Sequence, residues 1–128
     1  MDAPRHLLGL SCAFALACGG PTIPLPVTGP EPTPVAWEDV TDPPPPGRPE
    51  VVRLSPQAKA VWVDGQWERV DGKWRWARGG WAIPPAGARF TGFRVRRSKD
   101  GTLRFAAARW TDAQGQVIEV ERLQTVQP

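Results

Sequence analysis

The feature that most constrains this chain is a repeat of glycine and tryptophan in VWVDGQWERVDGKWRWARGGW, residues 61 to 81. Gly65, Gly72 and Gly79 recur every seven residues, and each is followed two residues later by a tryptophan. An α-helix would hold a glycine in every second turn at a cost of about 1 kcal/mol each, so the repeat argues against a helix. Asp-Gly between strand-forming residues instead predicts β-hairpins, because a type I′ turn needs positive φ at both central positions.

These turns predict four short strands joined as a meander, at about 59–63, 66–70, 73–77 and 81–83. The predicted turn residues are Asp64 with Gly65, Asp71 with Gly72, and a loop that contains Gly79. Two-residue turns fix the register of a hairpin. The repeat therefore predicts not only strands but also which side chains face each other.

In that register Trp62 opposes Trp67, and Trp67 also opposes Trp76. Alternation along each strand then places five large side chains on one face of the sheet: Trp62, Trp67, Arg69, Trp74 and Trp76. Trp81 joins this face if its turn has two residues, whereas a three-residue loop at 78–80 would direct it to the other face. The sequence thus predicts an aromatic face, either buried as core or partly open as a binding surface.

The second half of the chain contains three more strand-like runs, ARFTGFRVRR, TLRFAAARW and VIEVERL. The loops between them, at 98–101 and 112–115, suit a type I turn that glycine closes in a bulge. That register opposes Val95 to Phe105 and Trp110 to Ile118. We therefore expect an all-β domain over residues 51–128, a small antiparallel meander that forms a barrel or a two-layer sandwich.

The first 17 residues have the pattern of a lipoprotein signal peptide, with Arg5 ahead of an apolar run too short to span a bilayer. Residues 15–18, Ala-Leu-Ala-Cys, resemble the lipobox of bacterial lipoproteins. The resemblance implies that Cys18 is the acylated first residue, and Gly19 after it implies an outer-membrane location. Ala15-x-Ala17 also suits ordinary signal cleavage, which would release a soluble protein with a free thiol.

Residues 18–50 form a proline-rich linker in this interpretation, since eleven of the 32 residues from Gly19 to Glu50 are proline. Proline removes backbone donors and favours extended chain, so we expect neither helix nor paired strand there. Such a spacer could reach at most roughly 100 Å. Trp37 is either a docking tag or folds back onto the head, and the cost of exposing an indole favours folding back.

Residues 62–67 and 76–81 each match the pattern W-x-x-G-x-W, and the copy between them has Arg69 in place of its first tryptophan. This stretch resembles the tryptophan-rich WxxGxW (YXWGXW-type) repeat family of exported Gram-negative proteins. The resemblance implies a small envelope protein, often a lipoprotein, without an established biochemical role.

Composition argues against catalysis. His6, the only histidine, lies in the signal segment, and neither Ser55 nor Ser98 has a nucleophile motif around it. The carboxylates are scattered, so no metal site and no cofactor is predicted. The net charge of +3 is mild and the basic residues are mixed with acids, which argues against a nucleic-acid partner.

Two non-enzymatic functions therefore compete. The first is a membrane-anchored envelope lipoprotein with a structural or interaction role. The second is a glycan- or peptidoglycan-binding module, or a binder of another envelope protein, whose candidate ligand residues are Trp62, Trp67, Arg69, Trp74, Trp76 and Trp81. A basic group, Arg94, Arg96 and Arg104, could meet anionic lipid or polysaccharide, although a solvated face is the simpler interpretation.

Overall fold

A computed structural model describes residues 19–20, 22–29 and 32–123 of the chain. These ranges contain short β-strands and no helix, which confirms the all-β prediction. Accordingly, no helix within them is long and apolar enough to cross a membrane. The predicted signal segment and Cys18 lie outside the described residues. The strands are β1 (Glu38–Val40), β2 (Val61–Val63), β3 (Gln66–Val70), β4 (Lys73–Ala77), β5 (Gly80–Ala82), β6 (Arg89–Thr91), β7 (Arg94–Arg97), β8 (Leu103–Ala106), β9 (Arg109–Thr111) and β10 (Val117–Ile118).

The tryptophan-rich segment forms one long hairpin. β3 pairs with β4 in the predicted register, with Trp67 opposite Trp76. β2, however, pairs with β5, so Trp62 lies opposite Trp81. The predicted meander, with Trp62 opposite Trp67, is therefore wrong. Both pairings share one register. From Trp62 to Trp67 is five residues, and from their partners Trp81 back to Trp76 is also five. β2 and β3 form one arm, β4 and β5 form the second, and residues 64–65 and 78–79 interrupt the pairing between them.

Only one of the two Asp-Gly pairs in this hairpin turns the chain. Asp71 has a φ of 50° and Gly72 a φ of 71°, as a type I′ turn requires. Asp64 and Gly65 instead continue from β2 into β3, so their predicted role as a turn is wrong. Gly79 likewise lies in the interruption, within the second arm. Extending an existing hairpin adds cross-strand pairs without a further chain reversal, which explains why β2 runs on along β5.

The second half of the chain follows the predicted registers. Val95 lies opposite Phe105, and Trp110 lies opposite Ile118. The two bulged loops also form as predicted: the Gly101 N–H donates to the Ser98 carbonyl over 3.0 Å, and the Gly115 N–H donates to the Asp112 carbonyl over 3.1 Å. Both glycines have positive φ. These strands form two small sheets, ordered β1-β8-β7 and β10-β9-β6.

The proline-rich segment is attached to the domain, contrary to the prediction that it holds no paired strand. β1 pairs with β8, the Pro24 carbonyl accepts a hydrogen bond from the Trp62 N–H over 2.8 Å, and the Val27 carbonyl accepts one from Phe90 over 2.9 Å. Residues 35–42 contain no proline, so β1 keeps the N–H groups that pairing needs. Trp37 folds back as predicted, with the Arg96 guanidinium 4.2 Å from its ring centroid.

Two apolar clusters hold the domain together. One contains Val63, Ala82, Ala88 and Trp110, and the other contains Ala60, Trp62 and Trp81. The sheets around them are short and do not close into a barrel over the described residues. Because the sheets are this small, the buried indoles supply a large part of the apolar area that stabilises the fold.

Candidate binding cleft

The hairpin is interrupted where its two WxxGxW copies pack against each other. The Trp76 indole lies over Gly65 so closely that a Cβ there would overlap its Cζ2 atom. The Trp62 indole lies over Gly79, where a Cβ would be 2.7 Å from Cζ2. The first tryptophan of each copy thus covers the glycine of the other. Here the glycine of the repeat serves close approach of an aromatic ring rather than a turn.

The six candidate ligand residues fall into three pairs. Trp62 and Trp81 meet edge to face at 5.6 Å between ring centroids, and Trp67 meets Trp76 in the same way at 5.1 Å. The Arg69 guanidinium lies 4.7 Å from the Trp74 ring centroid. The pairing differs from the prediction in that Trp62 contacts Trp81 rather than Trp67.

Burial separates these residues further. Trp62, Trp67 and Trp81 are core residues, with 6%, 3% and 2% of their surface exposed. Trp74 and Trp76 are half-buried. Trp74 packs edge to face on Phe105 at 5.0 Å. Of these two half-buried indoles, Trp76 is the one that lines the cleft described next.

Trp62 and Trp76 meet at a cleft of about 390 Å³ beside the interruption in the hairpin. One wall is formed by the two indoles and Gly79, and the other by the end of the proline-rich segment, from Arg48 to Val51. Arg53 and Arg78 complete the lining. The cleft thus joins two candidate residues to a segment whose composition predicted a linker.

The Glu50 carboxylate, on one wall, is hydrogen-bonded to two residues of the other wall. Its Oε1 accepts a hydrogen bond from the Trp76 Nε1–H over 3.2 Å, and its Oε2 accepts one from the Gly79 N–H over 2.8 Å. The other indole in the cleft is held within its own arm, since Trp62 Nε1–H donates to Asp64 Oδ1 over 2.8 Å. No periodic pattern marks Glu50 in the sequence, where it is an isolated acid after a run of prolines.

The cleft carries an excess of positive charge. Three arginines, Arg48, Arg53 and Arg78, line it together with a single acidic residue, Glu50. Among the described residues no carboxylate forms an ion pair with any of the three arginines. The Arg48 guanidinium makes a cation-π contact with Trp67, 5.4 Å from the centroid of its ring. Sequence reasoning missed these arginines because they lie on a loop and on the predicted linker.

The predicted basic group on β7 and β8 is engaged with the folded-back segment. Arg104 forms an ion pair with Asp39 at 3.0 Å, and Arg96 stacks on Trp37. Burial, and then repulsion by Arg96, lower the pKa of Arg94 from its ordinary value. These arginines therefore serve first to hold β1 and Trp37 on the domain.

Two further findings bear on function. Across the described ranges no group of three or more histidine, cysteine, aspartate or glutamate side chains could hold a metal ion. Compared with family models, curated proteins and solved structures, the chain matches none of them.

Proposed function

We propose that this protein is an exported lipoprotein of the bacterial cell envelope, held in the outer membrane through Cys18, with a non-catalytic structural or interaction role. The observation that carries the proposal is the lipobox-like sequence that ends at Cys18, and the attachment of the proline-rich segment to the domain adds where the head would lie. The hydrogen bond from the Trp62 N–H to the Pro24 carbonyl is the first such contact within the residues that the structure describes. It turns the predicted spacer into part of the head.

The attachment determines where the head would lie. Pro24 is six residues beyond Cys18, and an extended chain spans at most roughly 20 Å over that length. An acylated Cys18 would therefore hold the head against the membrane surface rather than far above it. Partners would then be other components of the membrane or polymers that lie next to it.

Metabolic labelling with a palmitate analogue tests the anchor. We expect label in the wild-type chain and none in Cys18→Ala, with the wild type in the membrane fraction and the variant in the soluble fraction. An unlabelled wild type, or one recovered as a soluble protein, would contradict the proposal.

The cleft at Trp76 supports a second candidate, a glycan-binding role for the same head. A half-buried indole beside a polar wall suits a sugar ring, whose apolar face stacks on the indole while its hydroxyls meet polar groups. We expect the wild-type protein to sediment with purified cell-wall polysaccharide and Trp76→Ala to remain in solution. Lys73→Gln, an exposed position at the far end of β4, is the control that should still sediment. Equal sedimentation of all three proteins would remove this candidate.

A further inference from the structure

We propose that the cleft binds a sugar that carries a carboxylate, as in the uronic acid residues of an acidic polysaccharide. The proposal rests on the glycan-binding candidate above and specifies its ligand. Its basis is that two tryptophans and three arginines line the same cleft: Trp62 and Trp76 with Arg48, Arg53 and Arg78.

The charge of the lining favours an anion. Guanidinium groups bind carboxylates through paired N–H donors in a fixed planar geometry, which makes arginine well suited to this group. Three arginines line the cleft, and over the described chain none of the three forms an ion pair with a carboxylate. A neutral sugar would leave these donors to water, whereas a carboxylated sugar would use them.

The indole wall favours a ring over a simple anion. Trp76 is fixed in place by its bond to Glu50 and by its edge-to-face contact with Trp67, so it offers a rigid flat surface. Stacking on such a surface gains dispersion energy over the whole ring. The volume of about 390 Å³ also lies within the range of about 300–1,000 Å³ that is typical of small-molecule sites.

Glu50 sets the orientation of the ligand. Both oxygens of its carboxylate are already bound, one to the Trp76 indole and one to the Gly79 amide. Its charge repels a second carboxylate near that point. A sugar ring stacked on Trp76 would therefore direct its carboxylate away from Glu50 and toward the arginine side chains.

The test is isothermal titration calorimetry of the full-length chain with hexagalacturonate, and with the same hexamer methyl-esterified to remove its charge. We expect the acid to bind and the ester to bind at least about tenfold more weakly, since a charge-assisted hydrogen bond lost is worth about that factor. Arg53→Gln and Arg78→Gln should each weaken binding of the acid by about fivefold to tenfold. Lys73→Gln removes the same charge away from the cleft and should leave binding unchanged.

The outcomes separate this proposal from the functions on which it rests. Equal binding of acid and ester, weakened by Trp76→Ala, would overturn the acidic specificity and leave a neutral glycan site. No binding of either hexamer would overturn the proposal, and binding only to phosphatidylglycerol vesicles would overturn it in favour of lipid headgroups. Arg53 and Arg78 are exposed, so their variants should fold, and an affinity equal to that of Lys73→Gln would also contradict it. Palmitate labelling of Cys18 is independent of all these results.

Discussion

Three Asp-Gly pairs in this chain have three different roles. Asp71-Gly72 turns the tryptophan hairpin with both φ angles positive. Asp100-Gly101 ends a longer loop, in which only the glycine has positive φ and Asp100 Oδ1 accepts a hydrogen bond from the Thr102 N–H over 2.9 Å. Asp64-Gly65 continues an arm of the hairpin, with the aspartate bonded to Trp62 and the glycine beneath Trp76.

The three pairs show that a turn signal competes with the tertiary contacts available to the same residues. At Gly72 an added Cβ would meet no heavy atom within 4 Å, so backbone conformation alone selects glycine. At Gly65 the selection comes from an aromatic ring of the partner arm. Glycine is needed at both positions, but the reasons differ and can be separated by experiment.

The largest effect is expected for Gly65→Ala. Its Cβ would overlap the Trp76 indole, which could then keep neither its contact with Trp67 nor its bond to Glu50. Overpacking of this kind costs about 1–3 kcal/mol and sometimes more, and we expect the upper end of that range because a rigid ring is displaced. Urea denaturation followed by tryptophan fluorescence measures the loss. A variant as stable as the wild type would show that Trp76 does not lie over Gly65.

Gly72→Ala should cost less. The new methyl group meets nothing within 4 Å, so only the positive φ of 71° is unfavourable. For a residue with a Cβ that conformation costs about 1–2 kcal/mol. The same urea titration should rank Gly72→Ala between the wild type and Gly65→Ala. Gly72→Asn is the matched control, because asparagine tolerates the left-handed conformation and should recover part of the loss.

Substitutions of the aspartates in these pairs should change the stability less than the glycine substitutions. Asp64→Ala removes the acceptor of the Trp62 indole N–H and should cost about 1 kcal/mol. Asp64→Asn keeps an acceptor oxygen and should stay close to the wild type. Asp71→Asn, in the true turn, should be neutral, since Asn-Gly suits a type I′ turn as well as Asp-Gly. Near-ultraviolet circular dichroism reports the environment of Trp62 in each variant, and a change in Asp71→Asn as large as in Asp64→Ala would contradict these assignments.

Local patterns predicted the parts of the fold that local physics determines. The β3–β4 register and the two bulged loops follow from turn chemistry within a few residues. The partner of β2 was predicted incorrectly because the Asp64-Gly65 turn signal favoured Trp67, which is much nearer to Trp62 in sequence than its actual partner Trp81. Only the packing of each first indole over the glycine of the other copy distinguishes them, and no local rule contains that contact.

The sequence predicted only part of the cleft. Trp62 and Trp76 stood out as candidates from the repeat itself. Glu50 and Arg48 did not, because proline density marked their segment as a spacer, and Arg53 and Arg78 did not because they lie on loops without a motif. Beside the indole of Trp37, which predicted folding back, the proline-free stretch at 35–42 with two acids for Arg69 and Arg104 was a second signal of it. An acid-rich gap between prolines can therefore indicate a strand where the surrounding composition predicts none.

The smallest effect concerns the third Asp-Gly pair and is a pH dependence. The hydrogen bonds from the Thr102 backbone and then from its side chain hold the pKa of Asp100 below its ordinary value. A carboxyl whose pKa is lower in the folded state adds stability above its unfolded pKa, and this is lost as the pH falls through the folded value. Asp100→Asn should therefore be slightly less stable than the wild type near pH 7. The difference between their urea midpoints should shrink as the pH falls through the pKa of Asp100 in the folded state, because the carboxyl is then neutral like the amide. Asp112 lies in the other bulged loop and accepts hydrogen bonds from the Gln114 and Gln116 N–H groups over 2.9 and 2.8 Å. The variant Asp112→Asn is therefore a reference for the same kind of substitution in a loop without an Asp-Gly pair. A gap between wild type and Asp100→Asn that stays constant with pH would show that the carboxylate does not stabilise the loop through its charge.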